Sequence, residues 1–241
     1  MDLVDDMLNN YELSEYSRSL GIDLFGVADV SNASNYVKKQ GGEHVAGFPR
    51  AISLGVRLID DVIDQLYNHQ DIVTIASYRG VYDAANSALD RAALLVAKKI
   101  QDTGFRSYPI PASSMLNNDK LQAVFSHKLA ANLAGLGWIG KNCLLVTPQY
   151  GPRLRLATVL TDAPLTPGEP IPNACGPCTK CVDICPSKAL KGATFFPNEP
   201  RDSRVDAWKC DVYTSDRMEK FGNANCGLCV HICPWGAKTH S

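Results

Sequence analysis

The chain has 241 residues, 45% of them apolar and 20% charged, with 24 Lys+Arg against 25 Asp+Glu, which is enough for a real core in one large domain or two small ones. No apolar run is long enough to cross a bilayer, and the acidic start Met1-Asp2-Leu3-Val4-Asp5-Asp6 is unlike a basic targeting leader, so a soluble cytoplasmic protein with no membrane partner is expected. From Lys141 onward 12 Lys+Arg stand against 9 Asp+Glu, but no basic run marks a polyanion-binding face.

In chain order, an amphipathic helix is expected from Leu3 to Leu20, ended by Gly21, and a buried strand over Leu24–Ala28. Residues 31–47 read as loop with at most a short helix. A central strand follows over Ala51–Leu58, and Asp60 caps a short helix ending near Tyr67. The strongest helical pattern runs from Tyr82 to Asp102, with Val81, Ala85, Ala88, Leu89, Ala92, Leu95, Val96 and Ile100 forming one apolar stripe before Gly104. Next come a strand over Phe105–Ile110, a helix over Leu121–Leu133, a glycine cluster, a strand over Cys143–Thr147 and a strand over Arg153–Leu160. Pro164, Pro167, Pro170 and Pro172 then read as a linker, which divides the chain into domains of residues 1–163 and 164–241.

The second part holds two cysteine runs. Cys175-Gly-Pro-Cys178-Thr-Lys-Cys181-Val-Asp-Ile-Cys185-Pro186 has the C-x2-C-x2-C-x3-C-P spacing of two-cluster ferredoxins, in which the fourth cysteine serves the other cluster. Cys226-Gly-Leu-Cys229-Val-His-Ile-Cys233-Pro234 is a shorter version lacking one ligand, and Cys210 is the natural replacement. A cubane needs one thiolate per iron, and a tight turn presents three to one cube while the last points away. The expected ligand sets are therefore Cys175, Cys178, Cys181 and Cys233 for one [4Fe–4S] cluster, and Cys185, Cys210, Cys226 and Cys229 for the other. Zinc ribbons pair two C-x2-C knuckles on one ion and have no use for the third cysteine. Nine cysteines, an odd number, argue against a disulfide framework, and Cys143 reads as a small buried residue.

Gly135-Leu-Gly137-Trp-Ile-Gly140 matches the dinucleotide fingerprint letter for letter, but a helix precedes it and a strand follows, the reverse of what that fingerprint needs. These glycines are better suited to a helix C-cap and a close backbone approach to something flat. Lys141 and Asn142 then either face that ligand or sit in a solvated turn.

The order of Ala134-Gly-Leu-Gly-Trp-Ile-Gly-Lys-Asn142, Leu160-Thr-Asp-Ala-Pro-Leu165 and the two cysteine runs closing in Cys233-Pro-Trp235 resembles the epoxyqueuosine reductases, cobalamin-dependent iron–sulfur enzymes related to reductive dehalogenases. The resemblance implies an α+β chain, with a nitroreductase-like α/β domain followed by a ferredoxin-like domain carrying two [4Fe–4S] clusters. It also implies a corrinoid reached by electrons through the clusters, with Gly135, Gly137, Gly140, Lys141, Asn142 and Ser114 on the cofactor side. The implied partners are a low-potential donor such as a ferredoxin or flavodoxin, and either a small-molecule substrate or a corrinoid protein.

Departures from the family stand beside this. Tyr108-Pro-Ile-Pro-Ala-Ser-Ser114 lacks the family's catalytic aspartate, and Phe125-Ser-His127-Lys128 replaces its Glu-Arg pair. Many members continue into a helical-repeat region that grips tRNA, whereas this chain stops soon after the second run, so a short paralogue without a tRNA substrate is expected. A reductase needs a proton donor. His127 is the first candidate because imidazole titrates near neutrality, Tyr108 is the second, and Ser113 or Ser114 could orient a polar substrate. His231 is expected to pack beside a cluster. The alternative to an enzyme is an electron-transfer protein that serves a partner holding the reactive centre.

Overall fold

A computed structural model of the chain describes residues 8–113, 121–197, 199–222 and 225–236. Its elements begin with α1 (Asn10–Ser19), β1 (Leu24–Asp29), α2 (Ser34–Ala46), β2 (Arg50–Arg57), α3 (Asp60–Asp64), α4 (Ile72–Asp102) and β3 (Ser107–Ile110). They continue with α5 (His127–Leu133), β4 (Trp138–Ile139), β5 (Leu145–Val146), β6 (Leu154–Thr161), α6 (Lys180–Asp183), α7 (Ala207–Phe221) and α8 (Leu228–His231). The contacts divide the chain into two compact units, each built from separate segments.

The first unit takes residues up to Val56, Asn86–Leu136 and Arg155–Ile171. Its sheet has the order β1-β2-β6-β3, with β1 antiparallel to β2 and β3 antiparallel to β6. Side chains alternate along these strands, so one sequence feeds two cores. Val27, Ile52, Leu54, Ala157 and Val159 meet Leu13 of α1 and Leu89, Val96 and Ile100 of α4. Ala28, Ala51, Ile110 and Leu160 meet Val37 and Val45 of α2, Ala130 of α5 and Ala134, which caps α5. On that second face Gly26 admits α5, because a Cβ there would come within 3.0 Å of Ala134 Cβ. Helix α1 starts where Asn9 Oδ1 accepts the Glu12 N–H at 3.0 Å.

The second unit takes Arg57–Ala85, Gly137–Leu154 and the chain from Pro172 onward. It contains the β4–β5 hairpin, in which Trp138 pairs with Val146 and Ile139 with Leu145. Short helices α3, α6 and α8 pack together around the cysteine runs. The division therefore does not fall at one point near Pro164: two earlier segments go with the cysteine runs, because the hairpin and α3 find their packing partners there.

Several expected elements differ. The opening helix, expected from Leu3, is regular only from Asn10, and residues 3–7 lie outside the described ones. Helix α4 begins ten residues before Tyr82, because Asp71 Oδ2 caps Thr74 N–H at 2.9 Å and Ile75 and Tyr78 continue the buried stripe. Residues 34–46 are helical, interrupted at Gly42 (φ 85°), whose pairing with Gly41 reads as loop. The helix expected over Leu121–Leu133 is regular only from His127. Cys143 is buried, as expected, but in the hairpin turn: its φ is 59° and its N–H bonds Gly140 O at 2.9 Å, leaving only Leu145–Val146 as strand.

Candidate metal centre

Each cysteine run is a turn followed by a few helical residues. In the first, Gly176 (φ 52°) allows Cys178 N–H to reach Cys175 O at 3.2 Å, and α6 then carries Cys181. In the second, Gly227 (φ 74°) precedes α8, which carries Cys229. Gly227 is required twice over, for its left-handed backbone and because a Cβ would meet Leu66 Cδ1 at 2.7 Å and Tyr78 Cε1 at 2.9 Å.

The thiols gather in two groups. Burial, then the neighbouring Cys233, Cys175 and Cys178, push the Cys181 thiol up to about 11. Burial does the same for Cys233, also to about 11; the Trp235 backbone and Arg153 oppose it while Cys175 and Cys178 add to it. In the other group burial raises Cys210, with Cys226, Cys185 and Asp211 adding to it. Burial raises Cys229 as well, then Cys226 and Cys210, with smaller contributions from Cys181 and Cys185. Cys185 goes the other way: burial pushes its thiol up, but Ser187 Oγ and the N–H groups of Leu190, Ala189 and Ser187 outweigh it. Cys185 thus lies with the second run's thiols and Cys233 with the first's.

This donor set fits two cubanes. None of the cysteines is in a disulfide, and within each group the thiols disfavour one another's ionisation, a conflict that iron resolves. Among the described residues no three His, Cys, Asp or Glu side chains close tightly enough on a point to hold a single ion. Cubane thiolates bind one iron each and stand farther apart than the ligands of one zinc. Cys175, Cys178, Cys181 and Cys233 line a small cavity of about 30 Å³ together with Lys141 and Trp235.

The neighbourhood of these thiols is polar in a specific way. Lys141 Nζ donates to the carbonyls of Gly176 at 2.8 Å and Cys178 at 3.1 Å, and Asn142 Nδ2 donates to Cys229 O at 3.3 Å. Both side chains are buried against the cysteine runs. Trp138 Nε1–H points at Cys175 Sγ, 3.4 Å away, and its ring meets Trp235 edge-on at 4.9 Å. Arg153, 1% exposed, pairs with Asp64 at 2.6 Å and Asp60 at 3.5 Å. Arg217, 4% exposed, donates to the carbonyls of His69 at 2.9 Å and Asn225 at 3.3 Å. His231 Nδ1 lies 3.0 Å from Ile63 O. No sequence signal marks Trp138, Arg153 or Arg217 for this neighbourhood. Trp138 sits inside the glycine motif, but Arg217 is one cation among many on an ordinary helix.

The glycines of that motif serve the chain's own packing. A Cβ on Gly135 would run into Glu169 O, one on Gly137 into Val146 O, and one on Gly140 would sit 2.7 Å from both Asn142 Oδ1 and Val146 Cγ2. The close approach expected toward a flat ligand is made by backbone and side chains of this protein.

The remaining candidates lie in the first unit. His127 Nε2 is 2.9 Å from Pro111 O, which only accepts, so Nε2 carries the proton; Nδ1 then accepts from Thr158 Oγ1 at 2.7 Å. Burial lowers its pKa to about 4; the Pro111 carbonyl opposes this, Arg155 adds to it and Asp90 opposes it. The ring is neutral at pH 7 and bonded at both nitrogens, the state of a brace more than of a ready acid. Tyr108 lies in β3 against His44, with centroids 5.4 Å apart, and Phe48 at 6.2 Å. The neighbouring N–H of Ala112 bonds Asp90 Oδ1 at 2.7 Å, whereas Ser114 lies outside the described residues. No helix among the described residues is long and apolar enough to cross a membrane.

Residues 174–236 match the family described as a 4Fe-4S double cluster binding domain, so this part of the chain holds two [4Fe–4S] clusters. An epoxyqueuosine reductase from Bacillus anthracis is 26% identical over 91% of this chain and 62% of its own length, so the chain spans about three fifths of that relative. A reductive dehalogenase structure described in terms of B12-dependent dehalogenation superposes with a TM-score of 0.74 at 21% identity, covering 99% of this chain and 33% of that one. An epoxyqueuosine reductase crystallised with an epoxyqueuosine-modified tRNA-Tyr stem loop superposes with a TM-score of 0.59 at 19% identity, over 94% of this chain and 64% of that one. These likenesses establish the fold, and the expectation of no tRNA substrate finds no support in them.

Proposed function

We propose that this chain, a short relative of the epoxyqueuosine reductases, is an iron–sulfur oxidoreductase that passes single low-potential electrons through two [4Fe–4S] clusters to a corrinoid used for substrate reduction. The observation that carries the reading is the gathering of eight thiols in two groups that exchange Cys185 and Cys233. We assign Cys175, Cys178, Cys181 and Cys233 to one cluster and Cys185, Cys210, Cys226 and Cys229 to the other. When bound, the clusters supply one-electron carriers, and the exchanged ligands keep them adjacent. Cys210 is the exposed residue of its group, which supports the second cluster as the entry point for electrons from a donor protein.

The corrinoid is supported by the reductive dehalogenase likeness, whose structure is described through B12 chemistry. The glycine contacts lend it no support, because this chain fills them itself. His127 is proposed as a brace that ties α5 to β6 and to the Pro111 loop, with proton delivery left to another group. The substrate classes to assay are an epoxyqueuosine-bearing tRNA stem loop and small organic halides.

The test begins with anaerobic reconstitution with iron and sulfide, followed by titration with cob(II)alamin under dithionite. Stoichiometric binding with a changed visible spectrum is expected. Clusters that reduce and reoxidise with no cobalamin bound would assign the chain to electron transfer alone.

A further inference from the structure

Two buried cations in the second unit have hydrogen-bond partners but no carboxylate partner among the described residues. Lys141, 9% exposed, spends its ammonium on the carbonyls of Gly176 and Cys178, inside the first cysteine run. Arg217, 4% exposed, spends Nη2 on the carbonyls of His69 and Asn225, the latter directly before Cys226. Its Nε and Nη1 are buried without a hydrogen-bond partner among the described residues. Neither forms an ion pair among the described residues, in contrast to Arg153, whose charge is matched by Asp60 and Asp64. Lys180 also lines the cavity of the first group, but it is exposed and water screens it.

Arg217 also lies over the Phe221 ring, 5.3 Å from its centroid. A buried cation held by carbonyls and a ring face, with no carboxylate, is costly unless a negative charge lies close by. A cubane with four thiolates is such a charge, and reduction makes it more negative by one. We propose that Lys141 and Arg217 are the charge partners of the two clusters, one each: Lys141 for the cluster of Cys175, Cys178, Cys181 and Cys233, and Arg217 for that of Cys185, Cys210, Cys226 and Cys229. This rests on the two-cluster reading above. Both are positioning residues that raise the potential of a neighbouring cluster. In a medium of low dielectric constant a fixed positive charge favours the added electron far more than it would in water.

The experiment is a redox titration of the reconstituted full chain with dithionite, which supplies one electron per cluster, followed by EPR and visible absorbance. Lys141→Gln and Arg217→Gln keep an amide donor for the carbonyls and remove the charge; Lys141→Arg and Arg217→Lys keep the charge. Each Gln variant is expected to lower the equilibrium constant for reducing one cluster about tenfold, about 59 mV for one electron. The other cluster should stay within about threefold, and the two variants should move different waves. The charge-keeping variants should match the wild type within about threefold. Unmoved waves in the Gln variants, or one wave moved by both, would overturn the proposal. If a Gln variant takes up no iron, the charge-keeping variant decides: retained iron with a wild-type potential supports a charge role, and loss of iron or a tenfold shift refutes it. A wild-type chain that binds no clusters would instead sink the two-cluster reading.

Discussion

The exchange of Cys185 and Cys233 makes a prediction in iron stoichiometry that separates it from one cluster held by each run. Two cubanes bring about eight iron atoms per chain, four on each group of thiols. Cys233→Ala removes one ligand from the group of Cys175, Cys178 and Cys181, whose thiols surround it. Iron is expected to fall to about half, because the second group keeps all four of its ligands. A second substitution shows which cluster was lost. Adding Cys175→Ala strikes the same cluster and should leave iron near half, whereas adding Cys226→Ala strikes the other and should bring it close to zero. The assay is iron and acid-labile sulfide per chain after anaerobic reconstitution, with far-ultraviolet circular dichroism to confirm that each variant is folded. If each run held its own cluster, the two double variants would exchange results: Cys233→Ala with Cys226→Ala would keep half the iron, and Cys233→Ala with Cys175→Ala would keep none. That outcome, or total loss in the single variant, refutes the reasoning.

Three further outcomes follow from the geometry. Arg153→Met leaves Asp64 and Asp60 without their buried partner, although Asp60 retains its pairing with Arg57; a loss of about 3 kcal/mol is expected, seen as a drop in Tm of roughly 6–12 °C, and a change below about 1 kcal/mol would contradict it. His127 is neutral in the fold down to about pH 4 but takes up a proton near pH 6.5 when unfolded, so stability should fall as pH drops from 6.5 toward 4 and level off below. Allowing for the ring's partial exposure this contributes about 2–3 kcal/mol; denaturant unfolding of wild type against His127→Gln isolates it, and equal slopes in that window would remove the claim. Gly227→Ala should cost about 2 kcal/mol or more through its left-handed backbone and the clash with Leu66 and Tyr78, with iron lost first from the second group; unchanged thermal melting would show that the loop relaxes freely.

Much of the sheet was legible in the sequence. Leu24–Ala28, Ala51–Leu58 and Arg153–Leu160 all lie in strands or within a residue or two of them, because two-sided burial writes a near-continuous apolar run that needs no tertiary information to read. The start of α4 was missed because Asp71 and the stripe through Ile75 and Tyr78 are separated from the stronger pattern by Gly80. The single boundary at Pro164 depended on reading the chain in order, whereas compactness follows contacts made between distant segments.

The cluster chemistry was determined by the sequence alone. Three cysteines spaced by two residues meet three corners of one cube through local turn geometry, and that geometry travels with the residues wherever the turn is placed. Which charges surround each cluster was decided only in three dimensions. Lys141 reads as a ligand-facing or solvated residue after a glycine motif, and Arg217 as one cation on helix α7. Their carbonyl partners lie 35 and 37 residues away for Lys141, and 148 away for the His69 partner of Arg217. Short spacing prescribes which atoms bind the iron. Long-range packing sets the electrostatic field in which that iron takes up an electron.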